Sequence, residues 1–133
     1  MNIIIVGGGQ VGSFLASLLY KEHHVKVVEV REKQLAALHR DLPGDIIVEG
    51  HFTDPVVLEK AGIHDAEVVV AVTPTDEGNL VVANLAKFEF GVKRVIARAN
   101  NPKNSWMFTA EMGVDVGLTE ADILAHIVVK EMN

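Results

Sequence analysis

Short apolar runs rich in β-branched residues alternate with helical stretches along the whole chain. The runs predict strands at Asn2–Val6, Val25–Val30, Asp45–Val48, Glu67–Val72, Arg94–Ala97 and Asp115–Leu118. Most are continuously apolar, as in strands covered on both faces, and such strands pair in parallel. Between them, Val11, Phe14, Leu15, Leu18 and Leu19 share one helical stripe, and so do Leu80, Val81, Asn84, Leu85 and Phe88. A crossover helix is therefore expected after each strand.

Helix starts are marked by chemistry as well as by period. Asp54 before Pro55 and Asn101 before Pro102 each join a capping side chain to a proline at the first helical position. Thr73, Pro74 and Asp76 repeat that signal with an acid at the third position, and Thr119 with Asp122 forms another capping box. No linker, repeat, low-complexity tract or charge run interrupts the alternation. Residues 1–133 read as a single domain, one βαβαβ unit followed by a second. The expected fold class is α/β: a Rossmann-like doubly wound parallel sheet of six strands with helices on both faces.

Composition narrows the function. A chain of 133 residues leaves no room for a second catalytic domain, and a net charge of −6 argues against a nucleic-acid partner, which needs clustered Lys and Arg. The absence of cysteine excludes disulfides and thiol nucleophiles, so the cytoplasm is the default compartment. Ile3 to Val6 is too short for a signal or a span, and no direct membrane insertion is expected. The six histidines do not fall at metal-ligand spacing, and nothing resembles a nucleophile elbow or an acid and base pair. No catalytic residue and no metal are assigned.

The chemistry concentrates in "VGGGQVGS", between the first strand and the first helix. Gly7, Gly9 and Gly12 have GxGxxG spacing: the first suits a tight turn, the second lets a pyrophosphate approach the backbone, and the third lets helix pack on sheet. The helix N-terminus then offers free N–H groups to the phosphates, and Gln10, between the second and third glycines, either leans its side chain over them or simply begins the helix. Glycine-rich turns also arise for packing alone. Here, about twenty residues on, "VVEV" ends the second strand with Glu29, a carboxylate able to accept ribose hydroxyls. That register favours nucleotide binding, and the charge of Glu29 favours NAD(H) or an adenosine phosphate over NADP(H). Arg31 has two readings, a ligand contact or a solvated residue opening the next helix.

Ligands of such sheets lie outside the carboxyl ends of the strands. "EGHFTD" brings His51 and Phe52 to the third strand end, where an adenine ring would rest; Phe52 serves equally as core and His51 as a surface imidazole. "AVTPTDEGN" places Thr73 across from the glycines, with capping as its other role. Trp106, Met107 and Phe108 form an apolar knot explained by core or interface packing. In the last helix, Ala121, Ile123, Leu124, Ala125, Ile127, Val128, Val129 and Met132 leave a narrow polar stripe through Asp122, His126 and Lys130. One sheet face does not cover so wide an arc, so residues 119–133 are expected to meet a second copy of the chain.

Together "IIIVGGGQVGSFLA", "VVEV", "EGHFTDPVVLEKAGI", "DAEVVVAVTPTDEGNLVVANLAK" and "KRVIARANNP" resemble the N-terminal RCK domain, or TrkA-N, of regulators of potassium transport. The likeness runs over nearly the whole chain. It implies a cytoplasmic, non-enzymatic regulatory domain that binds NAD(H) or ATP, ADP or AMP. It further implies a homodimer within a larger ring at the inner face of the membrane, beneath a potassium channel or transporter. By position it implies Gly7, Gly9, Gln10, Val11, Glu29, Arg31, His51, Phe52, Thr73 and Arg98 around the ligand, with Arg98 toward phosphates. Gln10 stands where family members often carry arginine, and His51 where aspartate is common. Glu120 matches an acid of a cation site in some members, and a helix start also favours an acid there. The family's smaller C-terminal domain is not in the sequence. The competing reading is the NAD-binding domain of an oxidoreductase.

Overall fold

The computed structural model describes residues Met1–Asn133. Its strands are β1 (Asn2–Val6), β2 (His24–Glu29), β3 (Ile47–Glu49), β4 (Val68–Ala71), β5 (Arg94–Arg98) and β6 (Val116–Leu118). All pair in parallel, in the order β3-β2-β1-β4-β5-β6. The order reverses beside β1, which pairs Ile3 with both Val25 of β2 and Val68 of β4. A crevice opens at such a reversal, past the carboxyl ends of the strands. The helices are α1 (Gln10–Leu19), α2 (Glu32–Asp41), α3 (Pro55–Lys60), α4 (Asp76–Asn84) and α5 (Glu120–Glu131).

Alternate strand residues feed two cores of unequal size. Ile4, Val6, Val28, Val69 and Val95 join α3 and α4 in a core of 19 buried residues. On the other face Ile3, Ile5, Val25, Val27, Val70 and Val72 join Ala16 of α1 and Leu38 of α2 in a core of 9. The inequality has a cause: on that face α1 covers β1 and β2 and α2 reaches β3, whereas β4 and β5 line an open groove. A groove of about 990 Å³ remains, lined by Phe14 and Leu18 of α1 and by Val68, Val70, Val72 and Ile96 of the sheet.

The helices depart from the expected stripes. In α1 the small residues Gly12 and Ala16 face the sheet, and Val11, Phe14 and Leu18 are exposed. In α4 and the turn that continues it, the buried side runs through Asn79, Leu80, Val82, Ala83 and Ala86, while Val81 and Phe88 face out. Small side chains let a helix approach its sheet closely, and the larger ones are then carried outward. Past Asn84 the chain loosens into a π-helical turn, Leu85–Glu89, closed by the Phe90 N–H donating to the Leu85 carbonyl.

Asp54 caps α3, accepting from the Val56 N–H, and Asn101 caps a 3₁₀ turn over Pro102–Met107. The cap of α4 is Thr75, not Thr73, and Asp76 is the first helical residue. Thr119 precedes α5 but makes no side-chain capping bond. After β5 only short 3₁₀ turns connect to β6, so the expected crossover helix is missing there. In this segment Phe108 is buried and Trp106 is 75% exposed. No residue of α5 is buried.

Candidate functional site

The crevice is built on the turn from β1 into α1. Gly7 has φ +109, and a Cβ there would lie 2.7 Å from the Val72 carbonyl oxygen. A Cβ on Gly12 would lie 1.8 Å from the Gly7 oxygen, so α1 rests directly on the turn. Gly9 differs: it is extended, precedes α1 as its N-cap, and a Cβ there would meet only Arg31 Nη2, at 3.8 Å. No side chain caps α1, and its first turn holds no acid. The N–H groups of that turn, Gln10 and Val11 included, lack intrahelical partners and carry the positive end of the helix dipole.

Beside the turn, β2 ends in Glu29, only 5% exposed. Its Oε1 accepts from the Gly8 N–H (2.9 Å) and Arg31 Nη2 (2.8 Å). Its Oε2 accepts from the Val30 N–H (2.9 Å), the Arg31 N–H (2.9 Å) and Arg31 Nε (3.1 Å). Burial alone would raise the carboxyl's pKa. The Arg31 side chain and the three backbone donors outweigh it and hold the value at about 2, and Arg31 is raised in return. The Gly50 N–H donates to the Glu29 carbonyl (3.0 Å), which sets the β3 loop against the same strand end. There His51 is exposed and stacks on Phe52, ring centroids 4.6 Å apart, while Phe52 packs against the larger core.

The opposite wall comes from the ends of β4 and β5. Asn79 Oδ1 accepts from the Thr73 N–H (2.8 Å) and hydroxyl (2.7 Å), and its Nδ2 donates to the carbonyls of Thr73 (3.1 Å) and Arg98 (2.8 Å). Arg98 Nη2 donates to the Val72 (2.9 Å) and Thr73 (3.3 Å) carbonyls, and Nη1 lies 4.0 Å from Glu120 Oε1. Arg98 Nε is buried without a partner. Thus Gly7, Gly9, Gln10, Val11, Glu29 and Arg31 gather at the mouth of β1 and β2, and Thr73 and Arg98 face them. His51 stands beyond Glu29, and the Phe52 ring is turned to the core.

The TrkA-N domain family matches residues 3–120. The chain belongs to the TrkA-N family. It is 34% identical over 134 residues to the Trk system potassium uptake protein TrkA of Mycobacterium tuberculosis, covering 96% of this chain and 58% of that protein. It therefore spans just over half the length of that relative. Among solved structures, the TrkA-N domain of the inner membrane protein ybaL from Escherichia coli superposes with a TM-score of 0.84 at 19% identity, covering 99% of this chain and 96% of that one. That likeness shows the fold. The GsuK channel bound to NAD superposes with a TM-score of 0.76 at 25% identity, over 95% of this chain and 22% of that one.

In this TrkA-N domain the sequence reading misses Asn79 altogether and takes Asp76 only as a helix-start acid. Asn79 carries the four bonds above at 0% exposure. Buried Asp76 accepts from Asn104 Nδ2 (2.8 Å), from the Asn100 N–H and Nδ2, and from the Asn101 N–H (3.1 Å). Burial would raise its pKa, and these donors bring it below the usual carboxylate range. The signal was present as polar residues in "TPTDEGN" and "RANNPKN", two stretches that both follow strands. Their meeting depends on β4 and β5 being neighbours in the TrkA-N sheet. No helix of the domain is long and apolar enough to cross a membrane.

Proposed function

We propose that this domain binds NAD(H) or an adenine nucleotide (ATP, ADP or AMP) in the crevice and, through that binding, regulates a potassium channel or transporter. The observation that carries the reading is the uncapped first turn of α1 above open Gly9, with the Glu29 carboxylate beside it. That arrangement offers main-chain donors to phosphates and an acceptor to a sugar. The residues fit on a further count: Arg98 keeps a buried donor without a partner on the facing wall. In the free chain the two side-chain donors of Arg31 hold Glu29. Ribose hydroxyls would replace them, freeing the guanidinium, which already borders Gly9, for a phosphate.

The regulatory part is supported by the relative named Trk system potassium uptake protein TrkA and by likeness to the GsuK channel bound to NAD. The role is one of binding, not catalysis, on the cytoplasmic side of the membrane partner. The chain pairs with a second copy, and the pairs build a larger ring. In that pairing the exposed apolar residues of α5 lie in the groove over β4 and β5 of the partner. Nucleotide binding can move the pair only by its difference in affinity for two arrangements.

The test is mass spectrometry of small molecules released from the purified protein, then calorimetric titration with NADH, NAD, ATP, ADP and AMP. Saturable binding of at least one is expected. Negligible heats for all five would end the sensor reading, and turnover of a nicotinamide cofactor with substrate would replace it with an oxidoreductase.

A further inference from the structure

His51 is held by two independent contacts. Its ring stacks on Phe52 at an interplanar angle of 25°, and Phe52 is wedged so closely that a Cβ on Gly78 would come within 2.8 Å of its ring. Its Nδ1 lies 3.3 Å from the Thr53 backbone nitrogen and 2.7 Å from Thr53 Oγ1. The hydroxyl contact suits either tautomer, but a backbone N–H only donates, so the contact from the Thr53 N–H is the one that assigns Nδ1 as acceptor. The proton of the neutral imidazole is therefore on Nε2, which makes no bond within the chain, and the free edge of His51 is a donor.

The place of that donor follows from the sheet order. Phosphates over the turn after β1 and a sugar at Glu29 on β2 leave the base to the end of β3. His51 follows Gly50, whose N–H is bonded to the Glu29 carbonyl. Adenine offers N7 as an acceptor but carries a donating amino group at position 6, whereas a 6-oxo purine offers acceptors at both.

We infer that His51 is a specificity-determining residue that reads the base through an acceptor and not through the 6-amino group of adenine. The inference rests on the nucleotide reading above. Since the edge read is the one that bears N7, hypoxanthine, which keeps N7 and carries a carbonyl in place of the amino group, is not discriminated against. A carboxylate at this position, a pure acceptor, would do the reverse.

The experiment is calorimetric titration of the protein and of His51→Asp with ADP and IDP, together with long-range ¹⁵N–¹H correlation of the His51 ring in the free protein. The protein should bind IDP at least as tightly as ADP, and His51→Asp should shift the ratio toward ADP by about tenfold or more, the size of one hydrogen-bond reversal. The ring should show Nδ1 unprotonated. A protonated Nδ1, a clear preference of the protein for ADP, or a ratio unmoved by His51→Asp while both nucleotides bind would overturn the inference and leave the nucleotide reading standing. Failure of the protein to bind either nucleotide, with the five titrations above also silent, would remove both.

Discussion

A Cβ added at Gly12 would lie 1.8 Å from a backbone oxygen, whereas one at Gly9 would meet nothing nearer than Arg31 Nη2 at 3.8 Å. Two glycines of one motif therefore answer to different demands: packing requires the first, and no packing contact requires the second, which the proposed function assigns to ligand approach. Gly12→Ala is expected to destabilise the fold by about 3 kcal/mol or more, because backbone and not a movable side chain must shift. Gly9→Ala should stay within about 0.5 kcal/mol of the parent in urea unfolding and lose nucleotide affinity about tenfold or more, its methyl standing where phosphate would lie. Glu29 invites a pH test. Its folded pKa of about 2 lies below the ordinary glutamate value of 4.5, so the unfolded chain binds the proton more readily. The stability Glu29 contributes is complete above pH 4.5 and is lost as pH falls toward 2, up to about 3 kcal/mol. Urea midpoints from pH 6 to pH 2.5 should show that fall in the parent, and Glu29→Gln should flatten it.

Among the elements, the turn into α4 is where side chains set the geometry of the crevice wall. Asn79→Ala would strip partners from the Thr73 N–H and hydroxyl and from two carbonyls at once, all at or near the buried crevice wall. A loss of about 2 to 4 kcal/mol is expected in urea unfolding, more than one exposed hydrogen bond would cost. The same turn marks the limit of what the sequence discloses. The strands were legible because β-branched runs are local, and each observed strand end falls within two residues of its expected place. The glycine turn and Glu29 were legible because their spacing is local too. Thr73 looked like the cap of α4 because Pro74 suits a first helical position. Its hydroxyl is instead held by Asn79, and Thr75 takes the cap. Asn79 and Asp76 act through partners on β5 and beyond it, and Arg31 closes back onto Glu29 after the strand has ended. Such contacts exist only once the sheet has been assembled.

At the scale of the molecule, one sheet face is covered and the other only in part. Phe14 and Leu18 are 66% and 63% exposed beside the groove, and Ile127, Val128 and Val129 are 51% to 61% exposed on α5. A chain that leaves both a groove and an apolar helix open gains by placing one in the other, at roughly 25 cal/mol for each Å² removed from water. Exchange between two copies satisfies both copies at once, as a two-fold pairing requires. The chain is therefore expected to sediment as a dimer at micromolar concentration. Phe14→Glu and Ile127→Glu would each place a charge in the proposed seam from opposite sides, and each should give a monomer with an unchanged circular dichroism spectrum. Dimers surviving both single substitutions would mean that the two copies meet elsewhere, and a monomeric parent would mean that a different partner covers this face.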